Sequence, residues 1–138
     1  WRNPKMSGVD LKHLEVDDKL KDALFALENK MIEDYCNFTE SFSTVTREKF
    51  RQAYVDGIAY EKGHKYLKVI NNDLMSGGAS VHSFINLANK NFQYGDILKA
   101  DGWKKPAVNK ARGNIFEKFM ITWTGALYLT AINTRCIS

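Results

Sequence analysis

The part of this chain richest in side chains that could do chemistry is residues 90–112, KNFQYGDILKADGWKKPAVNKAR. It sets six cations, Lys90, Lys99, Lys104, Lys105, Lys110 and Arg112, among Phe92, Tyr94 and Trp103, and breaks them with Gly and Pro turns. Ammonium and guanidinium groups neutralise phosphates, and an exposed ring offers a face for base stacking worth about 1–3 kcal/mol per base. The partner this pattern points to is single-stranded nucleic acid, with Lys104, Lys105, Lys110 and Arg112 supplying charge and Trp103 the stacking ring. That reading requires the rings at the surface. If Trp103 and Phe92 pack in a core, as rings commonly do, the lysines are ordinary solvated surface.

Two further groups invite chemistry. In Arg112-Gly113-Asn114 a guanidinium at a glycine turn can face a phosphate or carboxylate, or it can hydrogen-bond carbonyls of its own loop. His82 and Ser83 adjoin in a strand-like run, but neighbours on a strand point to opposite faces, so a nucleophile–base dyad is not expected there. His13 and His64 show no metal spacing, and Cys36 and Cys136 form no Cys-x-x-Cys or Cys/His pattern. The two thiols are expected to stay reduced in a cytoplasm. Gly-x-Gly-x-x-Gly, Walker, Gly-x-Ser-x-Gly and His-Glu-x-x-His signatures are absent. No cofactor and no metal are expected; a small enzyme, which would assemble its site from scattered acids or histidines, stands as a third reading behind the two binding ones.

Charge is unevenly spread. Residues 1–60 carry 9 Lys/Arg against 11 Asp/Glu, whereas residues 61–138 carry 11 against 5. The basic second half suits an anionic partner, either nucleic acid or an acidic host or virion protein. In the second case the chain is a protein-interaction module, with a homodimer built on its amphipathic helices as one form. The longest apolar run, Gly125 to Ile132, falls well short of the roughly 18–20 residues that cross a bilayer, so no membrane role is expected.

The elements that must position these groups read as follows. Leu20, Leu24, Leu27, Met31 and Tyr35 lay one stripe along a helix from Val16 to Tyr35, with Asp17 and Asp18 at its start. A second helix is expected from an N-cap at Thr46, with Val45 and Phe50 as a hydrophobic staple, through Tyr54 and Ile58 to a stop at Gly63. The period then changes from 3.6 to 2. Lys65–Ile70 and Ser80–Asn86 read as strands of a hairpin with a long loop, and Asp96–Ala100 as a short third strand. Ala107–Arg112 reads as one or two helical turns, and Met120–Leu129 as a last strand interrupted near Gly125.

Helices first and strands later imply an α+β class, two N-terminal helices packed on a small, mostly antiparallel sheet of three to four strands. A length of 138 residues is that of one domain. The chain opens at Trp1, and residues 1–9 are expected to be flexible or foreign to the domain, with Met6 as a native start.

From Lys65 to Leu129 the order KYLKVI, a turn, SVHSFI, GDILKADGWKKPAVNKARGNIF and ITWTGALYL resembles uncharacterised small proteins of marine bacteriophages and ocean metagenomes. The most specific pieces are Gly95-Asp96-Ile97, Trp103-Lys104-Lys105-Pro106-Ala107, Ala111-Arg112-Gly113-Asn114 and Trp123-Thr124-Gly125. The resemblance implies a setting, the cytoplasm of an infected bacterium or a virion, and carries no functional residues with it.

Overall fold

A computed structural model describes residues 14–127. Two helices precede six strands. Helix α1 (Asp18–Phe38) begins where the Asp17 carboxylate accepts the Leu20 N–H at 2.7 Å. Its stripe of Leu20, Leu24, Leu27, Met31 and Tyr35 is buried. Helix α2 (Thr44–Asp56) clamps the far end of α1. Arg51, nearly buried, donates to the Thr39 hydroxyl at 2.9 Å and to the Cys36 carbonyl at 2.6 Å. A cation there meets the last turn's unpaired carbonyls and the negative end of the helix dipole.

Two expectations about α2 are corrected. It starts after Ser43 rather than Thr46, and Val45 is 80% exposed, so there is no staple. It also stops at Gly57, because residues 58–62 leave it to form strand β1 (Ile58–Lys62). Ile58 lies at the fourth position after Tyr54 and at the second before Tyr60, so its spacing fits either period. The sheet decides: β1 pairs antiparallel with β2 (Tyr66–Asn72), from Ile58↔Asn71 to Lys62↔Leu67. Glycine is required at residue 57, where a Cβ would collide with the Asn72 carbonyl oxygen. Gly63 lies in the β1–β2 turn instead.

Strand β3 (Ala79–Asn86) and strand β4 (Ile97–Leu98) complete an antiparallel sheet in the order β1-β2-β3-β4. The α+β arrangement of two helices followed by a four-stranded antiparallel sheet is thus the one read from the sequence. Leu67, Val69, Ile85 and Ile97 form the core with the α1 stripe. On the other face Lys68, Phe84 and Leu98 sit side by side across three strands and are buried.

The expected helical turns at 107–112 do not form. That segment runs extended beside β4, through Ala107 N–H to Lys99 O at 2.7 Å and Arg112 N–H to Ile97 O at 2.7 Å. Ile97 N–H returns to Gly113 O at 2.8 Å. The open edge of β4 needs hydrogen-bond partners, and this segment supplies them. The expected last strand is also corrected. β5 (Met120–Ile121) and β6 (Ala126–Leu127) pair antiparallel, so the break near Gly125 is a chain reversal, closed by Thr122 N–H to Gly125 O at 2.8 Å. The expected end of that strand at Leu129 lies outside the described residues.

Candidate functional site

Trp103 projects from a short excursion between β4 and the extended segment. The base of this loop is fixed by Asp101 N–H to Lys105 O at 2.9 Å and by the bridge between Ala100 and Pro106. Gly102, at φ +130°, makes the turn that puts Trp103 outward. The ring is 45% exposed, and Lys68 Nζ from β2 lies 4.5 Å from its centroid. The same ammonium pairs with Glu61 Oε1 at 3.2 Å. Around them His64, Lys65, Tyr66, Phe84 and Lys104 complete a cleft of about 530 Å3. Its side chains join a half-exposed ring to several cations, so it can take a flat, negatively charged ligand.

The residues singled out in the sequence do not all meet there. Trp103 and Lys104 line the cleft, and exposed Lys105 follows in the same loop. Lys110 is exposed outside it. Arg112 is only 5% exposed and lines a separate depression with Lys99, His82 and Thr122. Lys90 and half-buried Phe92 border a third, shared with Asp96, Glu117 and Lys118. Tyr94 stacks on Phe116 at 5.7 Å, and its hydroxyl donates to Asp17 at 3.2 Å. Lys65 and Lys68 complete the cleft from more than thirty positions upstream, and only strand alternation in KYLKVI hinted that Lys68 faces away from the core.

His82 departs from expectation. Ser83 pairs with Val69 and Val81 with Ile70, which leaves His82 as the extra residue of a β-bulge. The bulge re-aims its ring, so Nδ1 lies 3.0 Å from Ser83 Oγ, contrary to the opposite-face argument. Nε2 lies 2.8 Å from the Thr122 carbonyl, which can only accept, so Nε2 carries the proton and Nδ1 accepts from the serine. Burial pushes the imidazole pKa down to about 4, against which the Thr122 bond raises it. Ser83 is fully buried, so the pair offers no nucleophile to a substrate. Among the described residues no group of His, Cys, Asp or Glu could hold a metal.

A second cleft, of about 430 Å3, opens where α1, α2 and the β2–β3 turn meet the β5–β6 turn. Tyr35 and Tyr54 stack at 4.3 Å, and Trp123 meets both edge-on. The backbone of Trp123 is tied to three elements. Its N–H donates to Asp34 Oδ2 at 2.8 Å, and its carbonyl accepts from Tyr54 Oη at 2.9 Å and Asn71 Nδ2 at 3.0 Å. Burial pushes the Tyr54 phenol well above its usual range. Nothing in the sequence predicted this cleft, because its rings come from three separate segments, α1, α2 and the β5–β6 turn.

Together these features define an α+β domain with helices on one face of an antiparallel sheet and a basic, ring-bearing cleft formed by its other face. The chain belongs to a family of unknown function, DUF7717, whose model matches residues 9–128. No curated protein and no solved structure matches it.

Proposed function

We propose that the Trp103 cleft binds single-stranded nucleic acid, a base stacking on the indole while Lys65, Lys104 and Lys105 neutralise phosphates. The observation that carries the reading is the half-exposed Trp103 ring backed by Lys68 Nζ at 4.5 Å, with Lys65 and Lys104 lining the same cleft. Stacking accepts any base, so the binding is weakly sequence-selective. Arg112 lies outside the contact set, because its side chain is buried in a different depression. In the setting the bacteriophage resemblance implies, the domain is a non-enzymatic accessory protein acting on nucleic acid in an infected cell.

Fluorescence anisotropy of labelled single- and double-stranded oligonucleotides, titrated at about 50 and 200 mM salt, tests this. Three phosphate contacts to a single strand give a log–log salt slope near −2, or about twentyfold weaker binding at the higher salt. Trp103→Ala and the double change Lys104→Ala, Lys105→Ala should each weaken binding, and only the second should flatten the slope. Absence of binding at low salt refutes the reading and leaves an acidic protein as the partner of this surface.

A further inference from the structure

The cleft at Trp123 has an electrostatic character opposite to that of the rest of the second half. Among the described residues lining it, Asp73 is the only charged one, in a chain of formal net charge +4. Its carboxylate accepts N–H bonds from Met75 at 3.0 Å and Ser76 at 3.1 Å. A hydrogen bond from the Ser76 side chain, with these two backbone bonds behind it, lowers its pKa, so it is ionised at neutral pH. Its charge is felt within the cleft, where it adds to burial in raising the Tyr35 phenol. A second carboxylate, Asp34, lies directly behind the Trp123 amide. Asn71 lines the cleft, and its buried Oδ1 has no hydrogen-bond partner among the described residues. The cleft therefore collects negative charge, and among the described residues its lining holds no lysine or arginine.

The walls are aromatic. Phe50 and Trp123 are half-buried, Tyr35 and Tyr54 form the deeper part, and exposed Leu74 and Met75 form a lip. A π face attracts a cation through its quadrupole, and a polarisable methionine adapts to the ligand's outline. A cavity of this size accepts a small molecule.

We propose that this second cleft is a binding site for a small organic cation, an ammonium group carried on an apolar body. The rings and Met75 take the apolar part, and Asp73 balances the charge. A small cation fits better than an anion or a neutral hydrocarbon because the described lining residues carry one carboxylate and no positive charge. The site is separate from the Trp103 cleft and does not depend on its function.

The test is a 1H–15N NMR titration with choline and with dimethylbutanol, its neutral carbon isostere. The Trp123 indole and the Asp73 and Met75 amides report this cleft, and the Trp103 indole serves as internal control. Choline should shift the three reporters saturably, with about tenfold higher affinity than the isostere. Asp73→Asn, which keeps the turn's acceptor, should weaken choline about threefold and leave the isostere unchanged. Phe50→Leu should weaken choline with the fold intact by circular dichroism, whereas Trp103→Ala should change nothing. Equal affinity for the isostere, shifts confined to Trp103, or no shift with choline each overturn the proposal.

Discussion

Acid should weaken this fold through His82 before most of its carboxylates titrate. The imidazole is 2% exposed and its pKa is near 4, against about 6.5 in an unfolded chain. Between those values the unfolded state binds the extra proton, so stability is fully present above pH 6.5 and falls as the pH drops toward 4. The complete loss is about 3 kcal/mol, at 1.36 kcal/mol per pKa unit, and about 2 kcal/mol of it comes between pH 7 and pH 5. Urea denaturation at those two pH values measures it, with His82→Gln as reference. Glutamine can keep a donor toward the Thr122 carbonyl but cannot titrate, and subtracting its pH dependence cancels the other groups. The variant should start less stable at pH 7 and lose about 2 kcal/mol less on acidification. Equal losses in the two proteins refute the reasoning, since His82 would then be protonated as easily folded as unfolded.

Two other perturbations probe the frame that holds the clefts. Arg51→Ala removes the bonds to Thr39 and Cys36 at the end of α1 and should cost about 2–3 kcal/mol in urea unfolding. Arg51→Lys, with one nitrogen to place between two acceptors, should recover less than half of that. Gly57→Ala forces a methyl group against the carbonyl oxygen of Asn72, a residue whose N–H and side-chain amide both donate to Gly57 O, and should cost about 2 kcal/mol or more by thermal unfolding. A change below about 0.5 kcal/mol would mean that the α2–β1 junction relaxes freely.

What the sequence made legible follows the range of its signals. The α1 stripe and the Asp17 cap are local and repetitive, and they hold, as does the alternation of β2 and β3 around a turn rich in Asn and Gly. The α2–β1 boundary was misread because Ile58 satisfies both periods and Gly57 acts through Asn72, fifteen residues away. Residues 107–112 were misread because their state depends on the edge of β4, which no local propensity encodes. The Trp103 loop could be anticipated from its Gly, Pro and lysines. Lys68 could not be assigned to it without knowing that β2 passes beneath the indole. The bulge at His82 left no mark in the sequence, since it is a mismatch in length between two strands.

The three bonds to the Trp123 backbone bear on the order in which the chain assembles. They join residues 89, 69 and 52 positions apart. Closing a loop of the longest span in a disordered chain costs about 4 kcal/mol of entropy, so these contacts have to wait until the helices and sheet have already shortened the distance. The β5–β6 turn is then the last piece to dock, and the one whose amides should exchange with solvent first. Because that turn supplies Trp123 to the aromatic cleft, the cleft exists only in chains that have completed folding, and a ligand held there would draw the late equilibrium toward the finished state.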